Sequence, residues 1–272
     1  MAYQDIEYEL KEGIVTVTMN RPDVMNALSE NLEEEIHAAF DQADEDPDAR
    51  VIILTGRGAG FCAGYDQSPK KDGKKKGDPT GRSIADFIEG WQRNDSKISD
   101  KWVHMWKLGK PIIAAVNGYA LGGGLELAMA CDIIIMSNKA VIGLPEPRVG
   151  FIAGAGGIHK LPRQIPFKRA MGMILTGKKI TAQEAYELGL VNEIVDPDLV
   201  MDTAKKWASE ILECAPLSIR VSKQMAYEGL KYSFEEAMEA EYSEEEKYQN
   251  SSDHREGPKA FSEKRKPNWT AS

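Results

Sequence analysis

Pro111-Ile112-Ile113-Ala114-Ala115-Val116-Asn117-Gly118-Tyr119-Ala120-Leu121-Gly122-Gly123-Gly124-Leu125-Glu126-Leu127-Ala128 is the stretch on which the reading of the fold turns. The run Ile112–Val116, opened by a proline, is apolar and rich in β-branched residues, and reads as a buried strand. Asn117–Gly124, with glycines at 118, 122, 123 and 124, reads as a loop, and a helix is expected to start near Leu125. The apolar region continues to Met136 but carries Glu126 and Asp132, which a lipid-facing helix would not favour. It therefore reads as protein core.

The flanking sequence repeats the alternation. Residues 3–10 and 13–20 read as two strands around Lys11-Glu12-Gly13. Ser29 can cap a helix whose apolar positions include Leu32, Ile36, Ala39 and Phe40, ended by Asp46-Pro47-Asp48. Val51–Leu54 is a short buried strand leading into a glycine-rich loop, Gly56–Gly64. Residues 67–82 read as a polar loop with lysines at 70, 71, 74, 75 and 76, and a long helix is expected from about Ile84 to Lys107. Ile133–Met136 is another buried strand. After Pro166 the pattern turns helical, near 167–175, 181–188, 198–213, 217–230 and 234–248, with one short strand at Leu190–Val195. Thr181 followed by Glu184 fits a capping box. An α/β core over 1–195 and a helical region over 196–272 are the expected divisions.

The chain has 272 residues, 42% of them hydrophobic and 28% charged, which is an ordinary globular balance. Its formal charge of -9 argues against sequence-independent nucleic-acid binding, which needs clustered Lys and Arg. Cys62, Cys131 and Cys214 show no metal-ligand or disulfide spacing, and the four histidines show none either, so no metal is expected. The start, MAYQDIEYEL, carries no basic segment followed by an apolar run. A soluble, cytoplasmic protein without membrane association is expected.

The chemistry-bearing residues cluster around the glycines. Backbone N–H groups at Gly122-Gly123-Gly124 can face a ligand unobstructed, which suits an anion or a developing oxyanion. A tight strand-to-helix turn explains the same glycines equally well. The loop Phe61-Cys62-Ala63-Gly64-Tyr65-Asp66 follows another buried strand and could supply a second donor to the same oxygen. Glu126 in apolar company is either on an outer helix face or functional. Glu146 is fixed between Pro145 and Pro147. Either glutamate alone reads as a solvated side chain; the two together make paired acid–base chemistry plausible.

The string Asn117–Ala128 resembles the signature of the crotonase (enoyl-CoA hydratase/isomerase) superfamily. So do Arg21-Pro22 with Asn26-Ala27-Leu28, Phe61–Asp66, Leu144-Pro145-Glu146, Gly154-Ala155-Gly156-Gly157 and Phe261–Pro267, in family order along nearly the whole chain. The resemblance implies a crotonase-like α/β spiral of repeated β-β-α units, a helical C-terminal trimerisation region, and a homotrimer or dimer of trimers. It implies an enoyl-CoA hydratase-type lyase, with a double-bond isomerase or an aromatic hydratase-aldolase as alternatives on the same fold. A CoA-binding oligomer without turnover is disfavoured by the intact glutamates.

By the same resemblance, the oxyanion donors would be the N–H groups of Tyr65 and Gly123. Glu126 would activate water for attack on the β-carbon and Glu146 would protonate the α-carbon. Gly122 and Gly154 would line the pocket. The CoA thioester, a substrate and not a cofactor, would meet Met25, Asn26, Ala27, Cys62, Ala63 and Asp66, with Phe261 and Lys264 near its nucleotide end. No separate cofactor is implied. Three departures from the family pattern leave the acyl group open: Tyr65 in place of a smaller residue, Ala153 in place of a proline, and Ile158-His159-Lys160. The lysines at 70–76 could close over the CoA phosphates.

Two other motifs are decoys. Gly172–Lys178 nearly spells a phosphate loop, but Lys179 stands where Ser or Thr should bind magnesium and the preceding segment looks helical. Gly154–Gly157 lacks the final spaced glycine of a dinucleotide fingerprint. No GxSxG motif is present.

Overall fold

The computed structural model describes residues 3–66 and 103–272. The lysines at 70–76, the loop around them and most of the helix expected over 84–107 lie outside the described residues; 103–107 are helical.

Two sheets carry the fold. The larger has the order β1 (Ile6–Lys11), β2 (Ile14–Met19), β3 (Val51–Gly56), β5 (Ile112–Val116), β7 (Ile133–Ser137) and β10 (Glu193–Val195). Only the β1–β2 hairpin is antiparallel; the other neighbours run parallel. The second sheet has the order β4 (Gly60–Cys62), β6 (Tyr119–Leu121), β8 (Val141–Gly143) and β9 (Lys179–Thr181), with β4, β6 and β8 parallel. Along the chain, a strand of the large sheet is followed each time by a strand of the small one: β3 then β4, β5 then β6, β7 then β8. Helix α2 (Gly123–Ala128) completes the second of these turns and α3 (Gly157–Gln164) follows the third. The winding is the β-β-α spiral that the resemblance implies.

Burial explains the large sheet. All six residues of β3 and all five of β5 are buried, as expected of parallel strands covered on both faces. Alternate residues serve different layers. Ile52, Leu54, Ile112 and Ala114 join the main core with helix α1 (Glu30–Glu45), whose buried Leu32, Ile36, Ala39, Phe40 and Ala43 form one stripe. Val51, Ile53, Ile113, Ala115 and Ile135 face helix α6 (Val200–Leu212) through Val200, Ala204 and Ala208. The Ser29 hydroxyl caps α1 by accepting from Leu32 N, and the Thr181–Glu184 capping box is present on helix α5 (Ala182–Glu187).

Several expected boundaries are corrected. The Asn117–Gly124 loop contains β6, and its helix starts at Gly123, two residues before the expected position. The Gly56–Gly64 loop likewise contains β4. The strand expected over Leu190–Val195 is confined to β10. The helices near 167–175 and 217–230 are α4 (Phe167–Thr176) and α7 (Pro216–Gly229). The single helix expected over 234–248 is two, α8 (Phe234–Glu239) and α9 (Glu245–Asn250), followed by α10 (Ser252–Ser262). Ala240 and Ser251, both extended, separate them.

Helix α7 is tied to the sheet by a polar anchor. The Asp132 carboxylate accepts from Ile112 N and from Lys223 Nζ, each at 2.7 Å, and Lys223 Nζ also donates to Lys110 O at 3.0 Å. The buried ammonium thus has a charged and a neutral acceptor.

Candidate active site

The parallel order β4–β6–β8 decides where the site lies. Cys62, Leu121 and Gly143 end three neighbouring strands that point the same way, so the segments 63–66, 122–124 and 144–146 leave the sheet on one edge. Ligand sites of parallel sheets form beyond the carboxyl ends of the strands.

The first segment is stitched to the turn before α1. Ala63 N donates to Met25 O at 3.0 Å, Leu28 N to Gly64 O at 2.8 Å and Asp66 N to Leu28 O at 2.9 Å. Met25 and Asn26 both adopt left-handed conformations to make that turn. The Asn26 side chain is wholly buried: its oxygen accepts from Arg21 N at 2.9 Å, and its amide donates to Gly60 O at 2.8 Å and Arg57 O at 3.0 Å. Arg21 bridges the same loops, donating to Ala27 O and pairing with Asp66 at 3.0 Å. Of the residues expected around CoA here, Asn26 and Asp66 thus have side chains engaged within the protein. Met25 is exposed and Ala27 is buried. The Cys62 thiol is also buried, which pushes its pKa up to about 12 and removes it as a nucleophile at neutral pH.

The first and second segments meet at Gly64. With φ of +96°, a Cβ on Gly64 would stand 2.7 Å from Leu121 O and 3.5 Å from Gly123 N. The Tyr65 ring packs on Gly123, with ring atoms 3.0 Å from where a Cβ at Gly123 would be, and its hydroxyl donates to Glu33 Oε1 at 3.3 Å. The two expected donor residues are therefore neighbours in space. Gly123 is the first residue of α2, so its N–H precedes the intrahelical ladder.

Glu126, on α2, is 1% exposed, so it does not sit on an outer face. Its Oε1 accepts from Gly157 N at 2.8 Å. Burial drives its pKa up to about 8, against the Gly157 hydrogen bond; the charge of Glu146 adds to the rise, and Lys160 and Ala155 N–H oppose it. Glu146 begins a 3-10 turn after Pro145. Burial raises its pKa as well, and its Oε2 is buried without a hydrogen-bond partner among the described residues. The other oxygen, Oε1, faces Gly122. The charge of Glu146 thus reaches Glu126 beside the Gly122–Gly124 turn, and a substrate group or water that donates to Glu146 Oε2 would satisfy it.

Gly154 is exposed between Glu146 and α3. Phe261 and Lys264 stand at the end of α10, on an element remote in sequence from the glutamates; Phe261 is 88% exposed. Two residues escaped the reading of the sequence. Gly157 lies in the glycine motif but was not assigned to Glu126. Lys160, on the same helix, is 4% exposed. Its position three residues after Gly157 and next to the buried Leu161 was the available signal. Among the described residues, no cluster of His, Cys, Asp and Glu side chains could hold a metal ion, and no helix is long and apolar enough to cross a membrane.

Comparison with known proteins gives a consistent picture. The family profile described as Enoyl-CoA hydratase/isomerase matches residues 9–272. The (E)-benzylidenesuccinyl-CoA hydratase of Thauera aromatica is 39% identical over 263 residues, covering 96% of this chain and 97% of that one. The crotonyl-CoA hydratase of Syntrophomonas wolfei is 36% identical over 274 residues, covering 99% of each. The crystal structure of an enoyl-CoA hydratase from Bacillus anthracis superposes with a TM-score of 0.87 at 34% identity, covering 99% of this chain and 100% of that one.

Proposed function

This chain belongs to the enoyl-CoA hydratase/isomerase family, and from that premise we propose that it is a cytoplasmic enoyl-CoA hydratase. It adds water reversibly across the double bond of a 2-enoyl-CoA to give a 3-hydroxyacyl-CoA. The observation that carries the reading is the pairing of Glu126 and Glu146, the first buried and the second half-buried, the first sensing the charge of the second, beside the Gly122–Gly124 turn.

In the proposed mechanism the thioester oxygen sits between the N–H groups of Tyr65 and Gly123. The ionised Glu126 takes a proton from a water molecule as the water oxygen bonds to the β-carbon. The π electrons move through the α-carbon onto the thioester oxygen, where the two N–H donors stabilise the enolate. Glu146 then delivers a proton to the α-carbon. Before the next turnover the proton gained by Glu126 is passed on, directly or through water, so that Glu146 is again protonated. Burial raises the pKa of Glu146, which suits it to hold the proton it gives.

The CoA moiety runs past the 25–28 and 62–66 segments, with Met25, Ala27 and Ala63 at its surface and Asn26 and Asp66 holding the loops in place. Phe261 and Lys264 lie at its nucleotide end, supplied by a neighbouring subunit. The protein assembles as a homotrimer or dimer of trimers through its helical region, residues 196–272, an arrangement that would cover the exposed Leu230, Phe234 and Met238.

The test is loss of the conjugated thioester absorbance of crotonyl-CoA, with cinnamoyl and longer enoyl-CoAs in parallel and mass detection of the product. A water adduct is expected, and Glu126→Gln and Glu146→Gln should each lower kcat by about 10²–10⁴. A shifted double bond with no added water would replace hydration by isomerisation. Unchanged rates in both variants would sink the two-glutamate mechanism.

A further inference from the structure

We propose that Lys160 is a positioning residue for the hydration: its buried ammonium, on the helix whose Gly157 N–H holds Glu126, favours the ionised form of that carboxylate, the form able to take the proton of the attacking water. The inference rests on the assignment of Glu126 as the base.

A lysine is almost never fully buried unless something compensates it, and Lys160 is 4% exposed. It lies on α3, whose first residue, Gly157, donates its N–H to Glu126 Oε1 at 2.8 Å. The free N–H groups of a helix lie at its N-terminus, and the Lys160 side chain runs back toward that end past Gly156, so one helix end carries both the N–H that orients Glu126 and the stem of the ammonium. The aliphatic chain of Lys160 crosses Gly156, with Cε 3.3 Å from where a Cβ would be. Its Nζ ends 4.8 Å from the centre of the Trp106 ring. That ring is held in turn: it stacks on Tyr227 of α7 at 5.1 Å with 12° between the planes. An indole face attracts a desolvated cation and withdraws none of its charge, which remains available to Glu126.

The groups that face this pair come from several elements. Glu126 feels Glu146 from the 3-10 turn, which opposes its ionisation, and the Gly157 and Ala155 N–H groups, which favour it. Burial lowers the Lys160 pKa to about 8, and Cys131, just beyond α2, and Glu126 act against that fall. Cys131 is also near Asp132 and Lys223, and burial together with the charge of Asp132 raises the pKa of Tyr227. Among the charged side chains that act on Glu126 within the described residues, Lys160 is the cation. Burial and Glu146 both push Glu126 toward the neutral acid, a state that cannot activate water. The buried ammonium opposes them in part, and the net pKa stays raised.

The test pairs steady-state kinetics with site-resolved titration of the full-length protein. In Lys160→Met the acid limb of kcat/KM should move up by about one pH unit or more, a tenfold loss at a pH below the limb. The rate should recover at high pH and KM should change little. Lys160→Arg, which keeps the charge, should restore the wild-type limb. Carbon-13 NMR of the Glu126 carboxyl in the free protein should show the same upward displacement in Lys160→Met. An unchanged Glu126 titration and an unchanged limb in folded Lys160→Met would overturn the proposal. Should the neutral variant not fold, nitrogen-15 titration of the wild-type lysines decides: the proposal expects Lys160 to be charged at pH 7, and a neutral Lys160 overturns it. Full activity in Glu126→Gln would remove the catalytic premise instead, whatever the titrations show of Lys160.

Discussion

The carboxylate of Glu146 occupies the space that a side chain on residue 122 would need: a Cβ built on Gly122 stands 2.8 Å from Glu146 Oε1. Gly122 also has φ of +54° and ψ of −125°, a conformation that residues with a Cβ rarely adopt. Gly122→Ala should therefore displace Glu146 by a fraction of an ångström to an ångström. The expected result is a loss of about 10²-fold in kcat, read by crotonyl-CoA hydration, along with a fall in stability of about 1–3 kcal/mol read by denaturant unfolding.

The proton equilibrium of Glu126 gives two linked expectations. Its pKa in the folded protein is raised from the ordinary 4.5 to about 8, chiefly by burial. As the proposed base it must be ionised, so kcat/KM should rise with pH along a limb far above the usual carboxylate range. For stability the sign runs the other way. Between the unfolded and folded pKa values the native state holds a proton that the unfolded chain has released, so stability falls as pH rises through that window. Glu126→Gln removes the dependence. It should melt with wild-type behaviour at pH 4 and roughly a few degrees higher at pH 9, as followed by calorimetry.

Asn26 should register as a structural residue. Its three hydrogen bonds join the 21–26 turn to the backbone of Arg57 and Gly60, and its left-handed backbone suits asparagine better than alanine. Asn26→Ala leaves buried groups unpaired and should cost roughly 2–4 kcal/mol of unfolding free energy. A folded variant with unaltered stability and a raised KM for the CoA ester would instead assign the side chain to the ligand.

The anchor between Lys223 and Asp132 gives a further stability test. Lys223→Met would leave the part-buried Asp132 carboxylate beside the start of β5 without its cation. Loss of one partner of a part-buried, charge-assisted hydrogen bond should cost roughly 1–3 kcal/mol. The expected readout is early unfolding in urea, and Asp132→Asn in the same background should recover part of the loss.

How much of this could be read from the chain depended on segment length. The runs Val51–Leu54 and Ile112–Val116 announce themselves as buried strands because apolar residues, all but Leu54 β-branched or small, fill every position. The Ser29 and Thr181 caps are equally plain, since each places its hydroxyl one turn before an N–H that needs an acceptor. The second sheet was hidden. Its strands β4, β6, β8 and β9 have three residues each, too few to show a period, and two of them lie inside segments whose glycines read as loop. Glu126 and Glu146 were legible as candidates through their glycine and proline neighbours, but what surrounds them was not. Gly157 meets Glu126 across 31 positions of sequence, and no local pattern encodes such a meeting. Lys160 sits in a polar-looking stretch whose burial depends on Trp106 and on a helix sixty residues further along.

The three same-facing strand ends have a consequence for how such a protein can change. The chain returns to one rim at 63–66, at 122–124 and at 144–146, and in the proposed mechanism each visit leaves a different part of the machinery: one corner of an anion trap, then the other corner with a carboxylate behind it, then a second carboxylate. These parts adjoin in space but are encoded in separate stretches, each backed by its own pair of strands. An insertion or replacement on one visit need not disturb what the other two leave behind. On the proposed mechanism the repertoire open to this architecture is therefore combinatorial: proton delivery can be rewritten at the third visit while the grip on the thioester, assigned to the first two, is inherited unchanged.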